Sequence, residues 1–175
     1  MLTPFHPAPA RLTGCPVAPP APQNPTAPPP DALACSLTLP GEAHSARIAR
    51  GTVRLALLTH RLDGLVPAAE QVTGEMVAAA WRLNPGRDLY LSLRWRDDAL
   101  RLTVYDGHAP HEHPRLAAAC EARRRSALRL LSVVVRECRG QWGFGESREP
   151  GGGTRTWATL PTTPTHTYAH PVRRA

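Results

Sequence analysis

The chain has 175 residues, 42% hydrophobic and 20% charged, a composition that suits one folded domain with ragged ends. Its net charge is +7, and all 21 basic residues are Arg. Such a balance attracts phosphate, acidic partners or anionic surfaces, but apart from Arg123-Arg124-Arg125 the charges are scattered, which reads as a solvated basic surface. The four cysteines, at 15, 35, 120 and 138, include no C-x-x-C pair. That spacing argues against a zinc site and for unpaired thiols in a reducing cytoplasm. No stretch has the length of a membrane-spanning helix, and the N-terminus lacks the basic start and apolar run of a secretory signal.

Residues 1–34 hold more than half of the 20 prolines and are expected to be a disordered tail, since runs such as Pro28-Pro29-Pro30 favour extended polyproline conformation. The ordered domain is expected over 35–161, and a second flexible tail over 162–175. Cys35-Ser36-Leu37-Thr38-Leu39 alternates like a short strand, stopped by Pro40-Gly41. Ala46, Ala49, Val53, Ala56, Leu57 and His60 recur at helical spacing, with Gly51 weakening that helix. Pro67 is placed for the first turn of a second helix, whose inner face carries Val72, Met76, Ala79, Ala80 and Leu83 and which ends at Asn84-Pro85-Gly86.

Two alternating segments follow, Leu89 to Arg96 and Leu100 to Val104, with Asp97-Asp98 as a hairpin turn. Tyr90, Arg94, Trp95 and Arg96 interleave aromatic and basic side chains, a pattern that can stack on bases, although apolar members of an alternation face the core. From Gly107 to about Glu121 periodicity is lost. His108, His111 and His113, with Glu112, lie there in a stretch with two prolines and read as a solvated loop, with no metal site expected. A third helix is expected from about Arg124 to Cys138, with Leu128, Leu131 and Val135 inward. Gln141 to Glu146 and Thr154 to Leu160 read as strands joined through Pro150-Gly151-Gly152-Gly153. The order predicts an α+β, two-layer sandwich: a mainly antiparallel sheet with helices on one face.

That order, with Gln141-Trp142-Gly143 followed by Pro150-Gly151-Gly152-Gly153-Thr154-Arg155-Thr156-Trp157-Ala158-Thr159-Leu160-Pro161, resembles the histidine-kinase-like ATPase domains over about residues 36–161. The closest group is the bacterial anti-sigma-factor serine/threonine kinases. The resemblance implies a nucleotide site with four parts. Thr73 to Ala80 stands where the family has a helix with E-x-x-x-N; Glu75 matches the general base, while Ala79 stands at the position of the magnesium-holding Asn, and a methyl group supplies no oxygen ligand. Val104-Tyr105-Asp106-Gly107 matches the strand end whose Asp accepts the adenine amine, with His108 and Pro110 in place of two glycines. Arg125 and Ala127 stand where glycines open a phosphate-cradling helix. Gly151-Gly152-Gly153-Thr154 matches the last turn, with the adenine-pocket role falling to Thr154 or, aligned by Trp157, to Arg155.

The site implied is therefore Glu75 as catalytic base with Asp106, Gly107, Arg125 and Thr154 around a nucleotide. ATP is expected to bind weakly and Mg²⁺ to lack its ligand. Three functions follow: a binding regulator that grips a sigma factor or its antagonist with little or no catalysis; an ATP-dependent serine/threonine kinase with a deviant pocket; or a basic nucleic-acid binder, supported by net charge alone. A cytoplasmic location is expected from the unpaired thiols, no membrane partner from the lack of a long apolar stretch, and a homodimer is left possible.

Overall fold

The computed structural model describes residues 26–147 and 152–162. Strand β1 (Ala34–Leu39) leads into helices α1 (Ser45–Thr59) and α2 (Val66–Leu83), then strands β2 (Leu89–Arg96) and β3 (Ala99–Asp106). Helices α3 (Pro114–Ala127) and α4 (Arg129–Glu137) follow, and strands β4 (Gln141–Glu146) and β5 (Thr154–Pro161) complete the order. The strands form one sheet in the order β1-β2-β3-β5-β4, every neighbouring pair antiparallel. The fold is the expected α+β two-layer arrangement.

Alternation decides which face of the sheet is buried. Leu91, Leu93 and Trp95 of β2 stand opposite Val104, Leu102 and Leu100 of β3, and these in turn oppose Thr156, Ala158 and Leu160 of β5. All of these are buried, and with the inner faces of α1, α2 and α4 they form the core. The intervening residues, among them Tyr90, Arg94, Arg101, Tyr105, Arg155 and Trp157, share the opposite face, which no helix covers among the described residues. The β2–β3 turn uses Asp97 and Asp98, both at positive φ (52° and 53°), the two-residue geometry that matches strand twist. Helix α1 buries Ala46, Ala49, Val53 and Leu57 and packs along α2, where the Arg50 side chain lies over Gly74 and Arg54 pairs with Glu70.

Two expectations need correction. Leu33, assigned to the tail, is buried in the core: a 3₁₀ turn over Pro30–Ala32 delivers it there, and its carbonyl accepts a hydrogen bond from Trp95 N–H (3.2 Å). The tail's residues 1–25 lie outside the described residues, as do 148–151, with Pro150 and Gly151 of the expected turn, and the C-terminal 163–175. Second, the single helix expected from Arg124 to Cys138 is two helices that meet at Leu128, and the first begins ten residues earlier than Arg124, at Pro114. His113 caps α3, its Nδ1 accepting from Arg115 N–H (3.2 Å), and Pro114 fills the first-turn position that needs no amide donor. No helix among the described residues is long and apolar enough to cross a membrane.

Candidate functional site

The residues singled out by sequence converge only in part. Asp106 ends β3 and pairs in register with Thr154, the first residue of β5. Both project to the helix side of the sheet, whereas Arg155 lies on the open side. Gly153, at φ 91°, packs against the backbone of Asp106 so closely that a Cβ would sit 2.1 Å from its carbonyl oxygen; only glycine fits this turn. Thr154 Oγ1 donates to the His108 carbonyl (3.1 Å), and His108 N–H donates to Asp106 Oδ1 (3.0 Å). With its side-chain oxygen turned inward, Asn84 at the end of α2 accepts from Gly107 N–H (3.3 Å) and His108 N–H (3.1 Å). The chain leaving β3 is thus pinned from three sides.

At the centre of this junction lies a buried ion pair. Arg124 Nη1 donates to Asp106 Oδ2 at 2.8 Å, and Nη2 approaches Oδ1 at 3.5 Å. Asp106 is 3% exposed and Arg124 2%. Charges so removed from water are tolerated because they neutralise one another through charge-assisted hydrogen bonds. The carboxylate assigned to adenine is therefore already engaged, with both oxygens committed to Arg124 and the His108 amide.

The Arg123–Arg125 run, read as one basic patch, splits into three environments. Arg123 is exposed, Arg124 is buried, and Arg125 pairs with Glu121 one helical turn earlier and lies 5.1 Å from the Phe144 ring centre. Arg125 does not open a helix; it closes one. It stands in the last turn of α3, where a cation complements the helix dipole and no free amide points at a phosphate. Ala127 likewise ends that helix. Glu75 is half-buried on α2 and accepts from Gln71 Nε2 (3.0 Å); it borders neither of the cavities beside Asp106. Ala79, at the position where the resemblance expects a magnesium ligand, is 2% exposed and packed into the core. The structure therefore brings Asp106, Gly107 and Thr154 together and leaves Glu75 and Arg125 apart from them.

Two side chains that carry this junction, Arg124 and Cys120, were missed by sequence reasoning. Ala117, Cys120, Arg124, Ala127 and Leu128 form a stripe at helical spacing that continues to Leu131, and all are at least partly buried. The stripe was readable, but an Arg within it masked the pattern as charge. Cys120 Sγ lies 3.0 Å from His108 Nε2, and the His108 ring meets His111 edge-on at a centroid distance of 5.2 Å. These groups line a cavity of about 320 Å³ between the 108–111 loop, α3 and the β4–β5 end. A second depression, of about 680 Å³, occupies the open sheet face and is walled by Tyr90, Arg94, Arg101 and Tyr105. Compared with known proteins, the chain matches no family model and no curated sequence.

Proposed function

We propose that this chain is a regulator built on a histidine-kinase-like ATPase framework, which acts by binding a protein partner, a sigma factor or its antagonist, and not by transferring phosphate. The observation that carries this reading is the buried Arg124–Asp106 pair. Phosphoryl transfer depends on positioning and charge neutralisation, supplied by metal and backbone amides. Here the adenine-reading carboxylate is occupied by an internal guanidinium. The metal position is a buried alanine, the phosphate position is a helix C-terminus, and the candidate base Glu75 is tied to its own helix. What persists is a sheet with one face left uncovered among the described residues, bearing Arg94, Arg96, Arg101 and Arg155, complementary to an acidic protein surface.

Calorimetric titration with ATP and Mg²⁺ tests the first half: no saturable heat at micromolar concentrations is expected. Titration against purified sigma factors and antagonists from the same genome tests the second, with saturable one-site binding to at least one expected in the absence of nucleotide. Micromolar Mg-ATP binding, with phosphate transfer to a protein that disappears in Glu75→Gln, overturns the reading in favour of a working kinase.

A further inference from the structure

Outside the nucleotide question, the described residues contain one convergence of metal-ligating side chains: His108, His111 and Cys120, whose ligand atoms all lie within 4.8 Å of one another. We propose that these three residues form a thiolate–imidazole site for Zn²⁺ or a similar thiophilic divalent ion, with the fourth position open to the adjoining cavity.

The donor set argues for the class of ion. Two imidazoles and one thiolate suit zinc and disfavour magnesium or calcium, which take oxygen ligands. The spacing is close to what binding requires. Zinc holds nitrogen at about 2.0–2.1 Å and sulfur at about 2.3 Å, so the edges of its tetrahedron are roughly 3.3–3.6 Å. The present His108 Nε2–Cys120 Sγ separation of 3.0 Å must open slightly, and a separation at the 4.8 Å bound of the cluster must close by no more than roughly 1.5 Å. Rotation of the exposed His111 side chain accomplishes most of this, because it sits on the loop side of the cluster while its partners are anchored.

The scaffold supplies that anchoring. His108 is fixed through its backbone on both sides: its N–H is held by Asp106 and Asn84, its carbonyl by Thr154. Cys120 is held by helix geometry. It precedes Arg124 by four residues, so both occupy one face of α3, and Asp106 precedes His108 by two. The two contacts, Arg124 to Asp106 and Cys120 to His108, are therefore parallel rungs between the helix and the strand exit. The buried ion pair sets the position of the metal ligands without contributing one. A metal with three protein ligands keeps a coordination site for solvent or an incoming anion, and here that site faces the cavity bordered by Glu121, Glu146, Thr154 and Phe144. Binding requires loss of the Cys120 proton and so releases acid.

Titration of the reduced full-length chain with Co²⁺ tests the site, since a cysteine ligand produces thiolate-to-cobalt charge-transfer absorption. One equivalent is expected to produce the band, and Zn²⁺ to displace it. Cys120→Ser should abolish it, His111→Gln should weaken Co²⁺ affinity at least about tenfold, the lower range for loss of even an outer partner, and Cys35→Ser should change nothing. His111 is exposed, so its variant isolates ligation from folding, which far-ultraviolet circular dichroism monitors in each protein. Absence of the band in the unaltered chain, or its full retention in Cys120→Ser or in folded His111→Gln, overturns the proposal.

Discussion

At the scale of single residues, burial explains the consequences of change better than charge does. Removing Arg124 leaves Asp106 buried without its counter-charge and held only by the His108 amide, and removing Asp106 leaves the guanidinium buried without its counter-charge. Arg124→Met should therefore destabilise by about 3–5 kcal/mol, and Arg124→Met with Asp106→Asn should recover part of that loss. Urea unfolding of the two variants measures the difference; equal stability of the single variant and the parent would remove the pair from any structural role. Thr73 presents the opposite case. Its Oγ1 is fully buried with no hydrogen-bond partner among the described residues, so Thr73→Val, which keeps the shape and deletes the orphaned hydroxyl, should be neutral or stabilising by about 1 kcal/mol in the same assay. Cys138 is pushed up from the usual thiol value of 9.0, first by burial and then by the Glu137 carboxylate. A raised thiol is protonated in the folded chain when the unfolded chain begins to ionise, so its stabilising effect is complete below about 9 and is lost as pH rises through the folded value. Cys138→Ala should flatten the alkaline fall in Tm relative to the parent, although truncation in the core lowers Tm at every pH.

At the scale of elements, Gly51 offers the plainest test. It sits exposed within α1, and a methyl group there meets nothing within 4 Å. Gly51→Ala should stabilise by about 0.5–1 kcal/mol through backbone entropy alone, measurable as a shift in the urea midpoint without a change in slope. This helix, α2 and the β2–β3 hairpin were legible because each buries one regular face: Val53 and Leu57 at helical spacing, Leu91, Leu93 and Trp95 at strand spacing. Helix α3 was not. Its fully buried residue is Arg124, and its apolar content is mostly alanine and the exposed Leu116. Hydrophobic periodicity is silent about a helix docked by an ion pair and a thiol. The same silence displaced Arg125 from a helix end to a helix start in the sequence reading. It also left Cys120 unconnected to His108, twelve residues away, because the turn that joins them is set by the buried pair and by Thr154 rather than by any local pattern.

At the scale of the molecule, the sheet separates a closed face from an open one. Asp106 lies on the closed side, so its charge is spent internally and cannot offset the basic open face. On that face Arg94 and Arg101 are directly opposed in register, an arrangement of like charges that costs stability unless a counter-charge intervenes. Asp97 compensates Arg101 from the turn, which leaves Arg94 to seek an anion from outside the β2–β3 hairpin. Tyr90 and Tyr105, with ring centres 5.9 Å apart, wall the same depression and offer apolar area beside the charges. An acidic protein segment laid across β2 and β3 would meet both. Because exposed charges act over a Debye length of about 10 Å at 0.1 M salt, they govern encounter more than residence. Arg94→Glu with Arg101→Glu should therefore slow association with the proposed acidic partner by about tenfold or more, flatten its dependence on salt, and leave dissociation nearly unchanged. Arg123→Glu, exposed on α3 and outside the walls of this depression, should have a smaller effect. Stopped-flow association rates across a salt series distinguish the two surfaces: a larger loss from Arg123→Glu than from the sheet variants would move the docking surface from the open face to α3.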